Sequence, residues 1–459
     1  MKELARKVGG LMAIAFLLVG CGAPAAASQP SAILPFDTPE AASQPAAMLA
    51  LYTAIADTVT LTVWDQFQRD TESAVMDELN AEFEAAHPGV KINRVVKSFD
   101  ELKTAVASAL RDPNGPDVIQ VNQGADMRAA VQDGLLLSLT PFQAQYQWEQ
   151  RFSASILARN SFTGDGVHFG TGNLYGVSPT GEVVGVYYNR AKFEKLGLQI
   201  PRTFAEFEVL LAQARAAGET PIVLGNLDQM PGIQVFSAIE HVLLPDRTWL
   251  DNFVYGQDTV SFDVTENIQA AAELQKWVRA GYFGDGFSGI GYEDSWKLFA
   301  DGEGLMMLTG SWLSAELVKA GGERFGFFLL PPLEQAGIPL AIGGVGVPFC
   351  IRNGTKNAFL AADYLDWMIS LHAGELWLER GLLPAVPVHL SKLPTGTLLG
   401  DIVSAYDVLS IADGLGHYID WASPDMYNVL GAATQDLMSL KTTPQEFVVT
   451  VQAEYAKNP

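Results

Sequence analysis

The stretch from Leu174 to Phe207, LYGVSPTGEVVGVYYNRAKFEKLGLQIPRTFAEF, constrains the fold more than any other part of the chain. Val183, Val184, Val186, Tyr187 and Tyr188 form a nearly unbroken β-branched and aromatic run. A strand that is apolar on both faces runs through a core rather than along its edge. Pro179, Thr180, Gly181 and Glu182 lead into it as a polar, conformationally loose segment carrying one carboxylate. Beyond the strand, Asn189 is a helix cap for Arg190 to Leu196 and Gly197 a left-handed stop. Thr203 caps a further helix, with Glu206 spaced for a capping box.

The segments before this stretch alternate strand and helix. Thr58 to Trp64 alternates Val59, Leu61 and Val63 with threonines, and Val75, Met76, Leu79 and Phe83 recur at helical spacing until His87-Pro88-Gly89. Val90 to Val96 is a strand, Leu102 to Leu110 a helix, Asp117 to Val121 a buried strand and Asp126 to Asp133 a helix. Such alternation predicts an α/β fold with mainly parallel sheets flanked by helices, whose ligands sit at the carboxyl ends of strands. Those ends are Trp64-Asp65-Gln66 and Asn122-Gln123 with Asp126. Further on, Pro221 to Gly225, Leu305 to Thr309 and Phe325 to Leu330 read as strands. Val235 to Leu244, Ile268 to Ala280, Ala358 to Leu371, Gly374 to Arg380 and Pro424 to Leu440 read as helices. Gly343 to Pro348, glycine-rich, suits a hinge strand.

Four segments together, GPDVIQVN (Gly115 to Asn122), the YYN strand, LMMLTGSW (Leu305 to Trp312) and GGVGVPFCI (Gly343 to Ile351), resemble the extracellular solute-binding proteins of ABC importers, specifically the maltose-type sugar-binding family. The resemblance spans nearly the whole mature chain. It implies a two-lobed fold with a cleft between the lobes, one formed by 58–180 and 345–395 and the other by 181–344 and 396–459. It also implies a sugar ligand, a permease partner and no catalysis. In that family a carboxylate seven residues before the Asn of the YYN strand reaches the ligand, and here that residue is Glu182.

The chemistry of a sugar asks for aromatic planes against its C–H faces and charged or amide groups for its hydroxyls. The candidate contacts are Trp64, Asp65, Gln66, Asn122, Gln123, Asp126, Glu182, Trp312, Gly344 as a backbone donor, and Trp421. Trp312 is the expected stacking platform, with Gly310 and Ser311 leaving room beside its ring. Where many relatives have an aromatic residue, this chain has Asn226 to Pro231, with Met230 as the substitute. Trp421, after Tyr418 and Asp420, faces either the cleft or a neighbouring helix. Competing readings are a secreted hydrolase using paired carboxylates, a solute-binding protein for a non-sugar solute, and an adhesin or scaffold without a hinge.

No cofactor or metal is expected: the six histidines are scattered, and P-loop, EF-hand and G-x-S-x-G motifs are absent. Gly284, Gly286 and Gly289 fit a dinucleotide string but follow a helix-like segment, so they read as a loop. The formal charge of -23 disfavours nucleic acid. A monomer is expected.

Lys2, Arg6 and Lys7 precede the apolar run Gly9 to Val19, which is too short for a membrane span and reads as a signal peptide over residues 1–20. Leu18-Val19-Gly20-Cys21 resembles a lipobox, making Cys21 the lipid-bearing residue of an exported protein anchored on the outer face of the membrane. The Ala-, Pro- and Ser-rich 21–57 is then a tether. Cys350 alone remains as a thiol, in an apolar run, and reads as a small buried hydrophobe. Cys21→Ser is expected to release the protein from membranes without changing ligand affinity. A mutant that still sediments with membranes would refute the lipid anchor.

Overall fold

The computed structural model describes residues 58–256, 260–337, 339–388 and 396–457. Cys21, the leader and the tether lie outside them, as do 389–395 at the end of one expected lobe segment. Two five-stranded sheets, each flanked by helices, organise the described residues. The first contains β1 (Val59–Asp65), β2 (Val90–Val96), β3 (Val118–Gln120), β4 (Gly176–Val177) and, from much later in the chain, Phe349–Ile351. Its early pairings are parallel, as strand-helix alternation demands. Leu61 and Val63 are fully buried on the inner face of β1.

The long strand β5 (Gly181–Asn189) is the centre of the second sheet. Its first residues pair with Ala341–Val345, its middle with β6 (Met306–Gly310) and its end with β7 (Phe325–Phe328). Having neighbours on both edges and helices on both faces, it buries Val183, Val184, Val186 and Tyr187. Gly181 and Glu182, read from the sequence as a loose lead-in, are the strand's first residues.

The expectation of mainly parallel sheets is corrected here. Every pairing of β5 is antiparallel, and parallel pairing in this sheet is confined to β8 (Ala341–Val345) with β10 (Leu415–Gly416) and a bridge from Ile222 to Met306. The chain passes from the first sheet to the second through β4 and β5 and returns through β8 and β9 (Phe349–Ile351), so strands running in opposite directions lie side by side. Gly181 faces Val345 and Glu182 faces Gly344, while β9 lies antiparallel to both β4 and β3. Pro221 to Gly225 makes only that single bridge, although Val223 also donates to the Met306 carbonyl at 2.7 Å.

The helix read after β5 is there: Asn189 Oδ1 accepts the Lys192 amide at 3.1 Å and Gly197 closes the helix at φ 67°. Thr203 caps the next helix, but Glu206 reaches back to the Arg202 amide, so the reciprocal box is not formed. The helix Leu398–Ile411, not read from the sequence, packs on β7. Cys350 is buried, as its apolar neighbours required. None of the described helices is long and apolar enough to cross a membrane.

A third link joins the two halves. Arg159, buried and preceding β4, donates to the carbonyls of Leu415 at 2.6 Å and Gly416 at 3.1 Å, and Phe169 meets Tyr255 edge-on at 4.8 Å. The Arg159 guanidinium lies flat against Gly344, whose φ of 140° is a conformation that L side chains rarely adopt. A Cβ there would stand 3.0 Å from the guanidinium carbon. Gly344→Ala is therefore expected to cost about 1–3 kcal/mol of stability through backbone strain and displacement of Arg159. Chemical denaturation measures this, and an unchanged midpoint would show that the crossing relaxes freely.

Candidate functional site

Between the sheets lies a cavity of about 420 Å³. The first sheet supplies Gln66, Phe67 and Arg69 from the turn after β1, Glu72 from the helix that follows, Phe99 and Asp100 from the start of the helix Phe99–Arg111, and Asn122 and Gln123 after β3. These follow the carboxyl ends of β1, β2 and β3, where ligands of α/β sheets bind. The crossings supply Thr180, Gly181, Glu182, Gly346 and Val347 as the floor. The second sheet supplies Asp228, Met230, Tyr292, Glu293, Trp312, Tyr418, Asp420, Trp421 and Tyr427.

Of the residues read from the sequence, Gln66, Asn122, Gln123, Glu182, Trp312 and Trp421 line this cavity, and Trp64, Asp65, Asp126 and Gly344 do not. Asp65 is fully buried; Arg94 donates to its two oxygens from Nε at 2.7 Å and Nη2 at 2.8 Å, and the Phe67 amide adds a third bond. Its carboxylate shapes the turn that presents Gln66 and Arg69. Trp64, one residue earlier, points to the other face of β1 and lies under the Lys97 ammonium, 4.7 Å from the ring. Asp126 is paired with Lys103 at 2.8 Å. Gly344 lies in the ladder opposite Glu182, beneath Arg159, and its carbonyl accepts the Tyr406 hydroxyl at 3.0 Å.

Two expectations about aromatic residues change. The space beside Trp312 is filled by its own ring: a Cβ on Gly310 would fall 2.0 Å from it, so the glycine admits the indole rather than a ligand. Ser311 is buried, its hydroxyl accepting the Val183 amide at 3.2 Å. The indole nitrogen donates to Tyr292 Oη at 2.6 Å, which fixes the ring while it still borders the cavity. Trp421 lies on the cavity wall and also packs against the start of a helix. Its backbone and Cβ press on Gly124, where no side chain fits, and it is only 3 % exposed yet contributes to the cavity wall.

Sequence reading missed Arg69, Phe99, Asp100, Glu293 and Tyr427. Arg69 and Asp100 sit in turns or first helical turns just past the strand ends, so extending those ends by a few residues would have found them. Glu293 and Tyr427 lie at helix starts far from any strand end, with nothing local to mark them. Arg69 is the one cationic side chain on the cavity wall among the described residues. It donates to Glu293 at 2.6 Å across the cleft and lies 3.6 Å from Glu72. On the outer side, Lys319 pairs with Asp70 at 2.7 Å and the Thr71 amide donates to Glu316 at 3.1 Å. Lys103 lies over Tyr427 at 4.7 Å on the opposite rim. The lobes therefore touch on both sides of the cavity. No group of His, Cys, Asp or Glu among the described residues could hold a metal ion.

Enclosure alters the acids. Burial pushes Glu182 up to about 8, against the opposing effects of the Tyr418 hydroxyl and Arg159, and pushes Glu72 up to about 7 and Asp420 to about 6. A carboxyl raised in the folded chain keeps a proton that the unfolded chain has lost. Its stabilising contribution is complete below the unfolded value and disappears as pH rises to the folded one. His417 has the opposite sign: burial lowers it to about 3, so its effect falls below its ordinary value of 6.5. Between about pH 6.5 and 8 the ligand-free protein is therefore expected to lose thermal stability, and Glu182→Gln to reduce the slope. Equal slopes for the two proteins would show that Glu182 is ionised across this range.

The family model for bacterial extracellular solute-binding proteins matches residues 68–372. A multiple sugar-binding protein of Streptococcus mutans serotype c is 24% identical over 336 residues, 70% of this chain and 74% of that one. A probable sugar-binding periplasmic protein of Brucella melitensis biotype 1 is 25% identical over 244 residues, 51% of this chain and 54% of its own length. Among solved structures, a chitin oligosaccharide binding protein superposes with a TM-score of 0.73 at 20% identity, covering 87% of this chain and 98% of that one. A bacterial solute receptor described as preferring β-D-galactopyranose superposes at 0.75 with 15% identity, covering 87% and 98%. With a two-sheet frame, paired crossings and a cavity between the lobes, and with the family model covering most of its length, the chain belongs to the bacterial extracellular solute-binding proteins.

Proposed function

We propose that this protein is the substrate-binding component of an ABC importer, capturing a sugar or short oligosaccharide outside the membrane and delivering it to the permease. The observation that carries this reading is the composition of the cavity wall: Trp312, Tyr292 and Tyr427 offer rings, and Gln66, Asn122, Glu182 and Asp228 offer amide and carboxylate groups. Flat C–H faces and bidentate hydroxyl pairs require that combination. The names of the relatives support it, as does a cavity volume within the usual range for small-molecule sites. Ligand contact is assigned to Gln66, Asn122, Gln123, Glu182, Trp312 and Trp421. The lobes are assigned to 58–180 with 345–395 and 181–344 with 396–459. The protein acts as a lipid-anchored monomer without catalysis of its own.

Because contacts come from both lobes, binding stabilises the closed arrangement. A thermal-shift screen against mono- and oligosaccharides tests the class. Stabilisation by amino acids or peptides but not by sugars would overturn it, and turnover of a glycoside would favour the hydrolase. Within that screen Trp312 is the decisive residue. Trp312→Leu keeps apolar volume over Gly310 and is expected to weaken binding by about 1–3 kcal/mol, roughly ten- to hundredfold in Kd. The ligand-free Tm is expected to fall only slightly, since one hydrogen bond to Tyr292 is lost. Preserved affinity with a large fall in Tm would assign the ring to packing alone.

A further inference from the structure

The cavity is bounded along its length as well as by its walls. At one end Arg69, from the turn after β1, reaches Glu293 in the first turn of the helix Tyr292–Ala300 at 2.6 Å, a direct charge-assisted contact that leaves no gap for a ligand. Outside it, the Lys319–Asp70 pair at 2.7 Å and the Thr71 amide on Glu316 at 3.1 Å join the two halves again. At the other end the rings of Phe99 and Tyr427 lie 6.2 Å apart and inclined at 59°, and the Lys103 ammonium stands 4.7 Å from the Tyr427 ring. A pyranose stacked between two aromatic faces needs roughly 7–8 Å between them, twice the contact distance of carbon atoms. A glycan therefore passes neither end while these contacts stand.

The space between the two stops is short. A hexose unit packed at the density of a protein interior fills roughly 200 Å³, so the cavity of about 420 Å³ holds about two. The ring faces fall into two groups as well. Trp312 is bonded to Tyr292, over which Arg69 lies at 5.9 Å, so this group belongs to the first end. Trp421 lies 5.3 Å from Tyr418, and the Lys103 charge acts on its neighbour Asp420, which puts this group toward the second end. We infer that the cleft is a slot for two sugar units, taking a disaccharide of hexoses and rejecting longer chains, with Arg69–Glu293 and Phe99–Tyr427 as its stops. This rests on the sugar-binding reading above and narrows it. A single unit leaves one ring group uncovered and half the volume to water. A third unit either breaks a stop or leaves through the mouth of the cleft, where it gains no wall and holds the two halves apart.

The test is isothermal titration of the purified protein with length ladders of maltooligosaccharides, cellooligosaccharides and galactooligosaccharides, each from the monosaccharide to the pentasaccharide. In the series that binds, the disaccharide is expected to bind roughly tenfold or more tightly than both the monosaccharide and the trisaccharide. Phe99→Ala with Tyr427→Ala opens the second end, and Glu293→Ala, which removes a partly exposed side chain, opens the first. Each is expected to raise the affinity for the trisaccharide relative to the disaccharide by roughly tenfold. A trisaccharide or longer chain that binds the unaltered protein as tightly as the disaccharide would overturn the slot while leaving a sugar receptor. A monosaccharide that matches the disaccharide would overturn its two-unit length. A disaccharide optimum that neither the double substitution nor Glu293→Ala shifts would overturn the placement of the stops. Failure of every length in every series would overturn the sugar-binding reading and the slot with it.

Discussion

The antiparallel pairing of the two crossing strands, Gly181 to Val183 against Gly343 to Val345, is the constraint on which the rest of the molecule depends. Each crossing joins the sheets through only a few residues, and the crossings are tied to one another. The Gly346 amide donates to the Thr180 carbonyl at 2.9 Å, and the Gln123 side chain donates to the carbonyls of Val345 and Gly346 at 3.3 and 3.1 Å. A hinge made of two hydrogen-bonded strands bends without splaying, because the ladder survives small torsion changes while the sheets move as bodies. The absence of side chains at Gly343 and Gly344 lets Leu415 and Arg159 approach that ladder from behind. One face of the hinge is thereby packed and the other is left as the cavity floor.

Glu182 shows what this arrangement costs. It begins the central strand of the second sheet, so its backbone is fixed in the ladder, and its side chain faces a cavity whose walls remove it from bulk water. Desolvation alone makes a carboxylate there unfavourable. The Tyr418 hydroxyl and the buried Arg159 offset part of that cost, and Arg159 is itself held by main-chain carbonyls rather than by a carboxylate in contact. The guanidinium thus moderates the acid from across the hinge without an ion pair, and burial still outweighs it, so the Glu182 carboxyl is held well above the usual carboxylate range.

The frame was legible in the sequence because it rests on local signals. Alternation of Val59, Leu61 and Val63, the helical spacing of Val75 to Phe83, the two-sided apolar run at Val183 to Tyr188 and the caps at Asn189 and Gly197 each need only a few neighbouring residues. Sheet direction was not legible beyond the early parallel units: it depends on which strands the returning chain lies beside, and β8 lies more than a hundred and fifty residues after β5. The site was legible where a wall residue ends a strand, as with Gln66 and Asn122. The strand ends were also where the reading erred. Alternation sends Trp64 and Asp65 to opposite faces, and neither reaches the cavity, because Asp65 is held by Arg94 from the neighbouring strand. A carboxylate at a strand end serves the ligand or the turn, and the arginine that decides lies 29 residues away.

The closing contacts have an order of strength that follows from their exposure. Lys319 and Asp70 are both well exposed, so their pair contributes little and is screened by salt. Arg69 is largely buried and reaches a Glu293 that is more exposed, so its pair resists screening better and sits on the cavity wall itself. On the opposite rim the contacts among the described residues are Lys103 and Phe99 against the Tyr427 ring, with the Lys103 charge also acting on Asp420. A closed form is thus held at one end by an ion pair and at the other by ring contacts beside an acid-rich group. The two ends of the cleft therefore close by different means, one through paired charges and the other through ring contacts.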